Sequence, residues 1–222
     1  MNKPTNGEGA APDGSRKEPN AGEAKMSERL IKHAEASGEK ATKLIVRLCQ
    51  ESERAAVVLG AAAVDTNLEA LLISQLIPCA QESDELFDND RPLGSFSAKI
   101  ALARRMGIMS DGFARALHLV RRIRNEFAHS IDELTLSSGA CGNRLTELAR
   151  LCRENKGFNA MEDALSPIDI SAELKTFACC LAAILAEVSW VDAVREKAEG
   201  NVRAEFDWET DDPKRAPSDS AP

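Results

Sequence analysis

The stretch HLVRRIRNEFAHS, residues 118–130, combines side chains that can move a proton with side chains that can bind a phosphate. Arg124 and Asn125 precede His129 by five and four residues. A histidine titrates near neutral pH, and an arginine beside it can stabilise the charge that develops on a phosphate under attack. Arg124, Asn125 and His129 are therefore candidates for promoting attack by a ribose 2′-hydroxyl on the adjacent phosphate, without a metal ion.

The same stretch predicts a helix with an apolar side and a basic side. At about 100° per residue, Ala116, Val120, Ile123 and Phe127 form one stripe, and the side chains of His118, Arg122, Asn125 and His129 lie opposite it. Residues 96–130 hold seven Lys or Arg and two acids, although the whole chain carries a formal charge of −8. His118, Arg121 and Arg122 are thus candidate anion-binding residues, and a solvated basic face is the alternative.

Arg124 falls at the edge of the predicted apolar stripe, where a partly buried guanidinium requires a carboxylate or a phosphate. Asp65 and Glu69 interrupt the apolar run LGAAAVDTNLEALLISQLI at a spacing of four residues, which places both on one helix face. We therefore predict a structural clasp of Asp65, Glu69 and Arg124 that fixes how two helices pack. Such a clasp would explain the arginine without any catalysis.

Composition and periodicity predict an all-α protein, a single bundle of about six or seven helices. Aromatic residues make up 4% of the chain, tyrosine is absent, and alanine and leucine fill most apolar positions, which favours close-packed helices. Ser52 is predicted to cap a helix after a break, Ser110 to cap another, and Gly107 and Gly157 to end helices. The predicted helices cover 26–37, 39–77 in two pieces, about 95–106, 110–129, 143–155 and 171–198.

Both ends of the chain are predicted to be disordered tails around one helical domain at residues 26–199. The first tail covers residues 1–25. The second is acidic, covers residues 200–222 and contains the string EFDWETDD. Its two aromatic residues, Phe206 and Trp208, are predicted to pack back onto the domain, and the alternative is a docking motif for another protein.

Cysteine usage and hydropathy predict a soluble cytoplasmic protein. The six cysteines form no CxxC pair, and no histidine stands at ligand spacing from them, so we expect reduced thiols and no metal site. We also expect no signal peptide and no apolar run near the roughly 20 residues of a membrane helix. No motif predicts a cofactor, because Gly-rich phosphate loops and similar signatures are missing.

The block SERAAVVLGAAAVDTNLEALL, followed by LFDNDRPLGSFSAKI and IRNEFAHS, resembles the mannitol operon repressor family of bacteria. The resemblance covers about residues 45–135, and the final helix more loosely. It implies an all-helical cytoplasmic protein that modulates transcription of sugar-alcohol utilisation genes without a DNA-binding domain of its own. A homodimer that acts through a protein partner, either a transcription regulator or a transport component, is the corresponding expectation.

The string RNEFAH also resembles the Arg-x4-His motif of the HEPN superfamily, which contains helical RNases, toxins and nucleotide-binding modules. Carried over to this chain, the motif implies that Arg124, Asn125 and His129 are the active residues of a metal-independent endoribonuclease, with RNA as the partner. Many HEPN-like proteins keep the fold without cleaving anything. Binding of a nucleotide or a phosphosugar by the same residues is therefore a third hypothesis.

Residues 97–128 also form a predicted helix, turn and helix, the arrangement of a DNA-binding motif. Such a motif reads bases with the first residues of its second helix. Here those residues are Asp111, Gly112 and Phe113, which are acidic, without a side chain and apolar. We therefore expect no direct sequence-specific DNA binding.

Overall fold

A computed structural model describes residues 21–79 and 84–195, and these residues form seven α-helices, one 3-10 helix and no strand. The predicted all-α bundle is confirmed. The helices are α1 (Ala21–Leu48), α2 (Glu53–Gln75), α3 (Phe96–Arg105), α4 (Asp111–His129), α5 (Gly139–Cys152), α6 (Lys156–Leu165) and α7 (Ala172–Val194), with the 3-10 helix Glu85–Phe87 before α3.

Serine side chains begin four of these helices. In each case the serine Oγ accepts a hydrogen bond from a backbone N–H three residues later, which satisfies one of the free donors of the first turn. The residues are Ser52 of α2, Ser95 of α3, Ser110 of α4 and Ser171 of α7. The predicted caps Ser52 and Ser110 are confirmed, and so is Gly107, which adopts φ +67° in the turn after α3.

Several predicted boundaries were wrong, and α6 was not predicted, because the helix predicted at 143–155 is α5 (Gly139–Cys152) and a separate helix follows it. Residues 21–25, assigned to the first tail, begin α1. The rest of both predicted tails, and residues 196–199 of the predicted helical domain, lie outside the described residues. Helix α1 continues through Gly38, where one glycine costs a helix only about 1 kcal/mol. Gly157 does not end α5 but lies in α6, where an added Cβ would stand 3.2 Å from Ala186 Cβ of α7. The glycine allows close packing of the two helices.

Helix α7 is the central element of the bundle. It packs against α1, α2, α5 and α6, and eleven of its 23 residues are buried. Cys179 and Cys180 lie among them as small buried side chains. All six cysteines are free thiols, as predicted.

Helices α2 and α7 are long and apolar enough to cross a membrane by length and composition, so the expectation that the chain has no such run was wrong. In the described bundle, 44% of the most apolar window of α2 and 56% of that of α7 are buried by protein. A core helix of a soluble protein meets the same criteria, so this composition is weak evidence for a membrane span.

Candidate functional site

Helix α4 carries the predicted site and is oriented by its apolar stripe. The predicted stripe is confirmed, because Ala116, Val120, Ile123 and Phe127 are all buried. They pack α4 against α2, α3 and α5. Burial of this side turns the polar side of α4 outward, so that Arg122 is exposed and Arg121 and Arg124 are half-buried.

The C-terminal end of α4 is held by the first turn of α2. The guanidinium of Arg54 donates hydrogen bonds to the carbonyl oxygens of Phe127, Ser130 and Asp132, the last two at 2.8 and 2.9 Å. The Phe127 carbonyl is one of those that a helix end leaves without a partner, and the Ser130 and Asp132 carbonyls belong to the segment just after α4. Arg54 therefore fixes the position at which α4 ends and presents its last residue, His129.

Glu53, beside Arg54, extends the same support. One of its carboxylate oxygens accepts from the backbone N–H of Leu136 at 2.8 Å, and the other accepts from the Ser171 hydroxyl at 3.0 Å. The first turn of α2 thus joins the loop after α4 to the beginning of α7. Sequence reasoning missed Glu53 and Arg54, because nothing near them in the chain signals these distant partners.

Five side chains of α4, called here the α4 basic face, form the candidate anion site: His118, Arg121, Arg122, Arg124 and His129. Among the described residues, no carboxylate forms an ion pair with any of them. Arg122 and His129 are exposed and the other three are half-buried. The Nε of Arg121 is buried without a hydrogen-bond partner. The face is therefore able to take up negative charge from outside the described chain.

The surroundings of His118 change the pKa of its imidazole. Partial burial and the charges of Arg121 and Arg122 lower its pKa below the usual 6.5. His118 is thus neutral at pH 7 and can accept a hydrogen bond or, if an anion binds beside it, take up a proton.

The three candidate catalytic residues are placed in one short segment but in different directions. Arg124 Nη1 donates to Asn125 Oδ1 at 3.0 Å. His129, the last residue of α4, stands five positions after Arg124, which corresponds to about 140° around the helix axis. One copy of α4 therefore directs the guanidinium and the imidazole to different sides.

The carboxylate of Glu126 forms its contacts with α5, inside the bundle. The Glu126 carboxylate pairs with Arg144 of α5 and accepts from the Cys141 thiol at 2.7 Å. These two contacts lower the pKa of Glu126. Burial, followed by the Glu126 carboxylate, raises the pKa of the Cys141 thiol to about 12, so this cysteine is an unreactive thiol.

The predicted clasp exists with a different cation. Lys99 of α3, not Arg124, binds both carboxylates, with its Nζ at 2.8 Å from Asp65 Oδ1 and 2.6 Å from Glu69 Oε2. Burial lowers the pKa of Lys99, but the hydrogen bonds and charges of the two carboxylates outweigh it and raise the pKa. The available signal was the position of Lys99, three residues after the buried Phe96 and next to the buried Ile100.

No family model, curated protein or solved structure matches this chain. The two resemblances therefore rest on the sequence blocks themselves. Those blocks lie in α2, in the segment that leads into α3, and in α4, and these three helices pack against one another. In the described residues, no three His, Cys, Asp or Glu side chains converge as a metal site.

Proposed function

We propose that this protein is a regulatory helical module, similar to the mannitol operon repressors, that modulates transcription of sugar-alcohol utilisation genes through a protein partner. The observation that carries the proposal is the α4 basic face, whose three arginines have no carboxylate partner among the described residues. Arginines displayed on a rigid helix are suited to pairing with carboxylates of another protein. The proposed partner therefore presents an acidic surface.

Direct reading of DNA is not part of this proposal. The first turn of α4 would have to enter the major groove, yet its Asp111 pairs with Arg104 of α3 at 2.5 Å and brings negative charge to the DNA side. Gly112 has no side chain, and Phe113 borders an apolar cavity. Arg115, four residues after Asp111, is paired with Glu147 of α5. The arginines of the α4 basic face begin ten residues after Asp111, too far along α4 for base contacts.

The test places a photo-cross-linking amino acid at position 122 in cells and identifies the proteins it captures. Capture of a transcription regulator or a sugar-transport component, lost in an Arg121→Glu/Arg124→Glu protein, is the expected result. The same amino acid at position 47, an exposed arginine in the last turn of α1, is the matched control. The proposal fails if deleting the protein leaves sugar-alcohol transcripts unchanged and position 122 captures no such protein.

The second candidate is a metal-independent endoribonuclease, favoured by the Arg124–Asn125 hydrogen bond and the exposed His129 at the end of α4. In this reaction the 2′-oxygen forms a bond to phosphorus and loses its proton to a base, while the bond to the 5′-oxygen breaks and that oxygen gains a proton. Since one α4 directs Arg124 and His129 apart, the reaction requires a second copy of the chain. The expected homodimer would then complete the site.

Cleavage of total RNA in EDTA tests this candidate. Wild type should release fragments with 2′,3′-cyclic phosphate ends, whereas Arg124→Ala and His129→Ala should not. Mixing the two inactive variants should restore part of the cleavage, because a mixed dimer contains one intact Arg124 and one intact His129 facing each other. Arg47→Ala is the control for general charge. Cleavage that persists in His129→Ala would remove this candidate.

A further inference from the structure

A cavity of about 390 Å³ lies away from the α4 basic face, between the first turn of α4, the end of α5 and the second half of α7. Its walls are mainly apolar, with Leu71, Ile108, Met109, Phe113, Ile184 and Val191 among them. A volume of this size suits one or two aromatic side chains or a small apolar ligand.

The polar side chains of the cavity wall already form hydrogen bonds within the protein. Asn155 Nδ2 donates to Glu187 Oε1 at 2.5 Å, and Asn155 Oδ1 accepts from the Gly157 backbone N–H at 2.7 Å. The Ser110 hydroxyl accepts from Phe113 N–H as the cap of α4. The remaining wall offers apolar surface, so an apolar group gains more from this cavity than a polar one does.

Positive charge adjoins the opening. Ser110 and Gly112 are exposed at the edge of the cavity, and Met109 and Ser110 also border a notch lined by Arg104, Arg105 and Asp111. Arg104 pairs with Asp111, whereas no carboxylate among the described residues pairs with Arg105. An occupant with acids beside its apolar groups would therefore be favoured electrostatically.

The chain itself leaves the described bundle at this opening. Val191 of α7 lines the cavity, and Arg195, one residue after α7, donates to the carbonyl oxygens of Met106 and Gly107 at 3.0 and 3.2 Å. Those two carbonyls precede Ile108 and Met109 of the cavity wall. The residues that follow Arg195 therefore begin at the rim.

We propose that the EFDWETDD segment, residues 205–212, docks into this cavity of the same chain and inserts Phe206 or Trp208. The eleven residues from Arg195 to Phe206 can extend about 36 Å, far more than the rim requires. The segment has five acids and no basic residue, which complements Arg105, the arginine of the notch that has no carboxylate partner among the described residues. An inserted aromatic side chain buries about 150–250 Å², the main favourable contribution.

Fluorescence of the full chain tests the docking. Trp190→Phe, a change at a side chain 46% exposed on α7, leaves Trp208 as the only tryptophan. Acrylamide should quench Trp208 several-fold less in the native protein than in the same protein unfolded in denaturant. Gly112→Leu in this background should raise the quenching to the unfolded level, because leucine occupies the opening. A Cβ at Gly112 meets only Ser110 Oγ, at 3.9 Å, so the substitution is compatible with the fold.

Three further variants test where the segment docks. Gly38→Leu, at a helix position where an added Cβ meets nothing within 4 Å, should leave the quenching unchanged. Arg105→Glu should increase it, and Arg122→Glu should not. An effect of Arg122→Glu in place of Arg105→Glu would move the segment to the α4 basic face and overturn the proposal. Quenching as strong as in the unfolded chain, or protection that disappears on dilution, would overturn it too.

Discussion

Lys99 introduces a positive charge into the interface of α2 and α3, where its side chain is 5% exposed. Two carboxylates, Asp65 and Glu69, bind its Nζ, so the three groups together carry one negative charge. A buried ion without partners costs several kcal/mol. Lys99 and its carboxylates therefore act as a unit that determines how α3 docks on α2, and Arg124 is left available for another role.

Replacing Lys99 by methionine should lower the free energy of unfolding by about 3 kcal/mol, because two neighbouring carboxylates lose their cation. Urea unfolding measures this loss. Asp65→Asn and Glu69→Gln added to Lys99→Met should recover much of it. Lys43→Met, which breaks the exposed Lys43–Glu39 pair, should lower stability far less. Equal losses at positions 43 and 99 would contradict the assignment.

The stability that Lys99 contributes changes with pH in a definite direction. The pKa of Lys99 is raised above 10.5, so its contribution is present below pH 10.5 and is lost as pH rises through the higher folded value. Wild type should thus lose more stability than Lys99→Met above pH 10.5. Parallel unfolding curves for the two proteins in this range would argue against it.

His118 should make the free energy of unfolding decrease at mildly acidic pH. Its pKa in the folded protein is lowered below 6.5, so the unfolded chain binds the proton more readily, and stability falls as pH decreases through 6.5. His118→Asn should flatten this part of the stability curve. Phosphate bound at the α4 basic face should raise the His118 pKa in an NMR titration.

At the scale of elements, the first turn of α2 supports the end of α4. Arg54 donates to three carbonyl oxygens at residues 127, 130 and 132, and only a planar guanidinium presents donors in that arrangement. The last turn of α4 contains His129. The geometry of the candidate site therefore depends on a side chain 73 residues earlier in the chain.

Arg54→Lys should lower the free energy of unfolding by about 1.5–3 kcal/mol, because lysine keeps the charge but cannot make the same hydrogen bonds. Hydrogen exchange should accelerate at residues 128–132 more than in the rest of α4. Arg47→Lys, at an exposed position, is the control. Unchanged exchange at residues 128–132 would show that the α4 end holds without Arg54.

At the scale of the whole molecule, one core joins all seven helices. The buried side chains form a single cluster that extends from Ile45 of α1 to Val188 of α7. No smaller set of described helices has a core of its own, so the bundle should unfold as one cooperative unit.

Leu68→Ala, at a position 0% exposed in α2, should cost about 2–5 kcal/mol and shift a single transition. Leu59→Ala, on the same helix and 52% exposed, should cost much less. Circular dichroism and the fluorescence of Trp190, in a Trp208→Phe background, should report the same midpoint. Two separate midpoints would show that part of the bundle unfolds independently.

The sequence by itself determined the features that depend on residues within about four positions of each other. The serine caps at 52, 95, 110 and 171 and the apolar stripe of α4 are of this kind, because a helix end and a helix face are made by near neighbours. The all-α architecture and the exposure of Arg122, opposite the apolar stripe of α4, follow from these local features.

Only the tertiary structure decided which distant groups meet. Lys99 reaches Glu69 across 30 residues, and the choice between Lys99 and Arg124 depends on the angles at which α3 and α4 dock on α2. Gly157 shows the same limit, since a glycine that ends a helix and one that admits a neighbouring helix have identical local sequence signals. Docking angles result from the packing of many side chains at once, so no short stretch of sequence contains them.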